Sequence, residues 1–353
     1  MSEWVEKQFK NFIKLNRGFD LPNDKMVEGK YPVIASTNIK GYHNQYKITP
    51  PCVVTGRSGS LGTVQYIENK CIPLNTTLYV KDFKGNFPKF VFYFLKTMHL
   101  EIFNSGAGVP TLNQNHLHSI KLIVPPIPTQ ARIAEILSTY DDAIENNNRR
   151  IELLEKSAQE LYREWFVRFR FPGYKKAKFV NGLPEGWEVK RLGHIADFGN
   201  GKSRPSSTEG KIPVYGGNGI LAYCNKSNYV NGIIIGRVGA YCGSVYYEKN
   251  PHWVSDNAIA VKNKENCTLE FIYFLLSHLN LNQRQIGTGQ PLLTQELLSK
   301  IKVILPPYRL QQEFSNFAEQ VNVMVKILLS QSQNLTRQRD LLLPRLMSGK
   351  LEV

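Results

Sequence analysis

The chain has 353 residues, 42% of them hydrophobic, and a formal net charge of +15, which is length enough for two domains with sizeable cores. It has no run of about 18 apolar residues, which excludes a membrane-spanning helix, and its charged start, Met1 to Lys10, lacks the apolar stretch of a signal peptide. The five cysteines (Cys52, Cys71, Cys224, Cys242, Cys267) are odd in number and show no CxxC spacing. That points away from a disulfide framework or a zinc site and towards a reducing, cytoplasmic setting.

The basic excess is distributed. Residues 1–130 hold 15 basic against 8 acidic side chains, and residues 181–305 hold 13 against 9. Two basic blocks, rather than a basic tail, suit the faces of folded domains lying along a polyanion.

In chain order the elements come twice. Displaced by 181 residues, the sequence falls on itself. Pro32-Val33 overlays Pro213-Val214, and Gly41-Tyr42 overlays Ala222-Tyr223. Gly56-Arg57-Ser58-Gly59 matches Gly236-Arg237-Val238-Gly239 across a one-residue gap, and the displacement is restored at Gly62 and Gly243. Phe90-Val91-Phe92 overlays Phe271-Ile272-Tyr273. Gly106, Gly108 and Pro110 overlay Gly287, Gly289 and Pro291. Ile120 through Pro126 overlays Ile301 through Pro307, and Gln130 falls on Gln311. Each copy opens with β-branched strand runs, such as Cys52-Val53-Val54-Thr55 and Ile233-Ile234-Ile235. A short apolar helix follows near 88–100 and near 269–280. A glycine loop, a strand ending in Pro-Pro and a long helical segment complete it.

The long segments carry a four-three apolar spacing. In the first copy the seam runs Ile133, Leu137, Tyr140, Ile144, Ile151, Leu154, Ala158, Leu161 and Trp165, with Asn147 in the missing slot. In the second it is read as Phe314, Phe317, Val321, Met324, Leu328, Leu335 and Leu342, with Gln331 and Gln338 in core slots. Such seams, sustained over several heptads, predict two helices paired as a coiled coil, the polar slots fixing register. A pseudo-twofold relation between the copies makes the pair antiparallel. From Ile133 to Trp165 the first helix would span about 50 Å, more than one turn of B-DNA.

At these residues the chain resembles the specificity subunits of type I restriction–modification systems. Leu183-Pro184-Glu185-Gly186-Trp187-Glu188-Val189 looks like the lead into a target-recognition domain of that family. Ile235 to Gly243, with Val254-Ser255-Asp256-Asn257, resembles a common form of that domain. Ile133 to Ser138, Trp165-Phe166-Val167 and Leu343 to Leu351 look like its helical conserved regions. The first domain departs from the pattern, opening at Ser2-Glu3-Trp4 without the Leu-Pro-x-Gly lead.

The resemblance implies an α/β (α+β) fold: two tandem, similar target-recognition domains separated by two long antiparallel coiled-coil helices, with pseudo-twofold symmetry. The expected boundaries are 1–130 for the first recognition domain, 131–170 for the central helix and 171–183 for a linker. The second domain is expected at 184–308 and the C-terminal helix at 309–353. It also implies a non-catalytic subunit that binds double-stranded DNA, two methyltransferase subunits and restriction/translocase subunits. No cofactor is expected in this chain; S-adenosylmethionine, ATP and Mg belong to the partners. Tyr162, Trp165, Phe166 and Arg345 are the candidates for contact with a partner subunit.

Two other classes were weighed against it. A freestanding methyltransferase needs Asn or Asp before Pro-Pro-Tyr to accept a hydrogen bond from the target amino group. Here Leu305-Pro306-Pro307-Tyr308 offers leucine, and Val124-Pro125-Pro126-Ile127 offers valine. An ATPase needs a phosphate loop. Ala196 to Ser203 lacks its first glycine, and Arg204-Pro205 stands where a helix should begin. His116 and His118 alone make no metal site. A coiled-coil scaffold that binds no nucleic acid is the remaining alternative.

The candidate DNA readers lie on glycine-permitted loops. Arg57 and Arg237 occupy equivalent positions, and arginine can bind guanine O6 and N7 with two hydrogen bonds. Bracing of their own loops is the competing role. Asn38 and Asn218 correspond within one residue and suit adenine. Ser58 neighbours Arg57, and Lys40, Lys202, Arg204 and Tyr241 are candidates for backbone contact. Gln114 and Gln290 are weaker candidates.

Overall fold

The computed structural model describes residues 4–106, 108–205, 209–284 and 292–353. They form two compact units, Met1–Asn148 with Ser330–Val353, and Arg149–Leu329. Of the sequence-based candidates, Ser2, Glu3, Gly287, Gly289, Gln290 and Pro291 lie outside the described residues.

In the first unit a four-stranded antiparallel sheet has the order Lys14–Arg17, Thr77–Asp82, Cys52–Gly56, Val64–Ile67. The two central strands are the apolar runs, since a strand covered on both faces reads as continuous rather than alternating hydrophobicity. Cys52 to Gly56 is buried throughout. A three-stranded sheet joins Ile39–His43, Tyr31–Ile34 and Ile72–Pro73, and Val5–Gln8 pairs antiparallel with Lys121–Val124.

The second unit repeats this topology strand for strand. Its four-stranded sheet runs Ala196–Asn200, Ala258–Asn263, Gly232–Gly236, Val245–Glu248. Its three-stranded sheet joins Gly219–Cys224, Ile212–Gly216 and Trp253–Val254, and Glu188–Arg191 pairs with Lys302–Leu305. The short helices are Pro88–Thr97 and Leu269–His278.

Strand register refines the duplication. Val5 faces Val124 and Glu188 faces Leu305, so near the start of each copy the displacement is 183 rather than 181. Trp4 is therefore the counterpart of Trp187. Each tryptophan is covered by the segment that follows the long helix of the other copy. Trp187 meets Phe166, Phe169 and Phe171 at ring separations of 6.1, 5.2 and 5.4 Å. Against Trp4 lies Gly349, whose φ of +69° is a conformation that favours glycine and whose ideal Cβ would stand 3.2 Å from the indole.

Both diproline turns lead into the long helices, Ile127–Tyr162 and Tyr308–Met347, and a buried glutamine fastens each turn. Gln130 donates to the Pro125 carbonyl at 2.9 Å and to Asn86 Oδ1 at 2.8 Å, and accepts from the Phe87 N–H at 3.0 Å. Gln311 donates to the Pro306 carbonyl at 2.9 Å and accepts from the Thr268 N–H at 3.1 Å. Proline supplies a carbonyl but no N–H, so a neutral side chain with both a donor and an acceptor is what this corner requires.

Within each unit a stretch of one long helix packs antiparallel on a stretch of the other. In the first unit Ile133, Ala134 and Leu137 share a core with Leu346 and Met347, and Asp141 pairs with Arg339. The same carboxylate accepts from the Tyr93 hydroxyl at 2.6 Å, and burial, with Asp141 next, pushes that phenol well above its usual range. In the second unit Ala158, Tyr162 and Phe166 share a core with Phe314, Ala318 and Val321. Asn147 is buried as the first seam requires.

The second seam needs correction. Gln331 and Gln338 are exposed, as is Met324, while Ser332 is buried and Arg339 is largely covered. The buried line runs Phe314, Ala318, Val321, Val325, Leu328, Ser332, Leu335, Arg339, Leu342, Leu346. It shares every second position with the expected seam but steps by four rather than three from Phe314. Both lines are apolar at first. They part at the polar end, where the observed line brings Arg339 to Asp141.

Tyr162 and Phe166 are also corrected. They are 4% and 5% exposed, and Phe166 packs edge-on to Phe314 at 5.2 Å and to Phe271 at 5.1 Å. Their aromatic area lies inside the second unit's own core.

Replacing Gln130 or Gln311 by Leu should lower stability by about 1–3 kcal/mol, because a buried backbone N–H and carbonyl lose their partner. Urea denaturation followed in each variant checks this; an unchanged midpoint would show that the clasp does not hold the turn.

Candidate nucleic-acid interface

The reader candidates gather at one end of each domain because glycines let loops touch there. In the second domain an ideal Cβ on Gly236 would lie 2.5 Å from the Tyr241 carbonyl oxygen and 2.9 Å from that of Gly217. Only glycine permits this approach. It sets the Gly217-Asn218 turn of the strand pair Ile212–Gly216 and Gly219–Cys224 against the loop that carries Arg237 and Tyr241. Asn218 and Tyr241 are exposed there. Lys202 joins the same end through its backbone, which donates to the Val254 carbonyl at 3.0 Å and accepts from Trp253 Nε1 at 3.1 Å. The side chains of Lys202 and Arg204 are exposed. Ala196–Asn200 is a sheet strand, so the segment before Lys202 does not form a phosphate loop.

The first domain is built alike. An ideal Cβ on Gly56 would fall 1.9 Å from the Ser60 carbonyl oxygen. Ser36, in the hairpin that carries Asn38, donates to the Thr76 and Ser58 carbonyls at 2.9 and 3.2 Å. That bond ties the hairpin to the loop of Arg57 and Ser58. Asn38 is exposed at its tip, and Lys40, further along, donates to Asn23 Oδ1 at 2.6 Å. The backbones of both reader loops are fixed alike: the Arg57 carbonyl accepts from the Leu112 N–H at 2.8 Å and the Arg237 carbonyl from the Leu293 N–H at 2.9 Å.

The arginine side chains differ. Arg237 Nη1 donates to Asn200 Oδ1 at 3.3 Å, and its Nε is buried without a partner. Gln295, oriented to satisfy both ends of its amide, donates to the Phe198 carbonyl at 3.1 Å and accepts from the Asn200 N–H at 2.9 Å. Arg57 Nη1 donates instead to the Asn75 carbonyl at 3.2 Å. It lines a cleft of about 340 Å³ with Arg17, Ser105, Thr111 and Gln114. Sequence reasoning did not find Arg17, Asn75, Asn200 or Gln295. Asn200 lies between Gly199 and Gly201 in a short strand, and Arg17 is hidden by the two-residue change in displacement.

The chain belongs to the family described as the type I restriction modification DNA specificity domain, whose model matches residues 1–156 and again 184–335. It is 27% identical to the type I restriction enzyme MjaIX specificity subunit of Methanocaldococcus jannaschii, over 99% of this chain and 94% of that protein. A second specificity subunit of that organism, MjaVIII, is 23% identical over 99% of this chain and 93% of its own length. The fold is similar to the crystal structure of the type I S subunit from M. genitalium, with a TM-score of 0.68 at 21% identity, covering 98% of this chain and 96% of that one. The chain is thus a DNA-specificity subunit of the type I restriction–modification class, a non-catalytic component.

Two histidines brace the fold. His118 Nε2 accepts from the Leu15 N–H at 3.1 Å, and the Asn250 carbonyl accepts from His252 Nδ1 at 2.8 Å, leaving Nε2 buried and unpaired. Among the described residues, no group of three or more His, Cys, Asp or Glu is placed to hold a metal ion. No helix among them is long and apolar enough to cross a membrane. Burial, first, holds both imidazoles below their ordinary range, with Lys14 adding to the effect at His118. The unfolded chain therefore binds protons that the folded chain refuses, so stability is complete above about pH 6.5 and lost as pH falls below it. Urea midpoints at pH 7.5 and pH 5.5 check this: the lower-pH midpoint should be smaller, and equal midpoints would contradict it.

Proposed function

We propose that each domain reads one half of a split sequence in double-stranded DNA, using the glycine-loop edge described above. The observation that carries this reading is repetition. The same close-packed glycine corner presents an arginine once in each domain, beside an exposed asparagine turn. Arg57 and Arg237 are the proposed base readers. Asn38, Ser58, Asn218 and Tyr241 flank them, and Lys40, Lys202 and Arg204 contribute charge towards the backbone phosphates. The basic excess of both domains favours the approach of DNA.

The long helices set the separation of the two half-sites and dock two methyltransferase subunits; restriction/translocase subunits complete the assembly. Trp165, half-exposed, and Arg345, exposed, are the proposed contacts with a partner. S-adenosylmethionine, ATP and Mg act in those partner subunits. The recognition domains fold as 1–130 and 184–308, with the helical parts at 131–170 and 309–353 and the linker at 171–183. The setting is the cytoplasm, where the DNA is.

The test is the methylated motif written by the complex of this chain with its methyltransferase. Arg57→Ala should relax or abolish recognition of one half-site, and Arg237→Ala that of the other, each by about 1–3 kcal/mol of discrimination. Sequencing of methylated host DNA reads the outcome. A variant that altered both halves equally, or neither, would contradict base reading by these arginines, and a uniform loss of affinity with a shallower salt dependence would make them phosphate contacts.

A further inference from the structure

Register makes Arg17 and Asn200 counterparts. Arg17 faces Leu78 and Asn200 faces Ile259 in matching strands, and Leu78 and Ile259 are themselves 181 residues apart. One position thus carries a cation in the first domain and an amide in the second. In the second domain the amide holds the reader arginine, Asn200 Oδ1 to Arg237 Nη1. In the first, Arg17 and Arg57 both only donate, so neither can hold the other. They stand on the walls of the 340 Å³ cleft, and no carboxylate is among the residues that line it.

Two further observations bear on the guanidinium groups. Arg17 is paired with Asp20 at 3.6 Å, with the side chains 52% and 73% exposed, a contact of little worth in water and readily exchanged. Asp20 is also bonded by the Asn75 amide, and the Asn75 carbonyl holds Arg57, so Asn75 bonds both the partner of Arg17 and Arg57 itself.

We propose that the Arg17–Arg57 cleft is a binding site of the first domain for an acceptor-only group of duplex DNA, and that the described residues of the second domain, with Asn200 at the matching position, offer no equivalent pair of arginines. The ligand is an edge or group bearing only acceptors, which two guanidinium forks match. In DNA that chemistry comes from a phosphodiester or from the N7/O6 edge of guanine. In the second domain Asn200 acts as a positioning residue for Arg237, so the two domains read with one arginine loop but different surroundings. This rests on the proposal that the domains read DNA.

The experiment uses the complex with its methyltransferase subunit, carrying Arg17→Ala, Arg17→Lys or Asn200→Ala. Its readouts are the methylated motif in host DNA and the affinity for a duplex bearing the wild-type motif over a range of salt. If guanine is the ligand, Arg17→Ala relaxes one base in the first domain's half-site, weakens binding about 5- to 150-fold, and Arg17→Lys does not restore it. If a phosphate is the ligand, the motif stands, affinity falls for all sequences, the salt slope drops by about one, and Arg17→Lys largely restores binding. Asn200→Ala disturbs only the other half-site. An Arg17→Ala complex with unchanged motif, affinity and salt slope overturns the cleft while leaving the reading of DNA intact. A wild-type complex that writes no split motif removes the reading of DNA, and the cleft with it.

Discussion

The structure depends on a corner that proline makes and glutamine closes. Each recognition domain ends in a strand, turns through two prolines and becomes a long helix, and the turn exposes carbonyls that no helix or sheet can satisfy. Gln130 and Gln311 take up that deficit from inside the core and bind the start of the short helix as well. The angle between a domain's sheet and its helix is thereby fixed. A subunit that reads DNA at one end of a domain and meets other proteins along a helix needs that angle constant.

The two domains share a common backbone frame beside the proposed readers. The glycine corners at Gly56 and Gly236 are set by close backbone approach, which no side chain can mimic. The residues beside them are free to differ, as Arg17 and Asn200 do at one strand position. On the proposed reading, fixed backbone and variable side chains would let one module serve two different half-sites.

How much of this was legible in the sequence follows from which residues constrain the backbone. Proline fixes φ, and glycine alone tolerates the closest approaches and positive φ, which is why Gly56/Gly236, Gly62/Gly243 and the diproline turns reveal the duplication in the sequence alone. Apolar spacing constrains less. From Phe314 a step of three or of four both meet apolar residues; the packed line takes four, and at its far end it brings Arg339 to Asp141, a pairing that spacing does not reveal. Aromatic residues at a helix end are equally ambiguous: Tyr162 and Phe166 fit a docking surface or a core, and the rings of Phe271 and Phe314 make them core. Polar pairs were the least legible. Asn200 holding Arg237 joins residues distant in sequence, and the counterpart of Asn200 was masked by a two-residue slip at the start of the first copy.

The central claim is that one module, used twice, reads each half of the target on its own. The most direct measurement exchanges residues 5–124 for residues 188–305, cut at the matching strand positions Val5, Val124, Glu188 and Leu305, and maps the methylated motif written by the resulting complex. The account predicts a motif in which the first domain's half-site has been replaced by a second copy of the other half-site. Retention of the original first half-site, by an active complex, would contradict it.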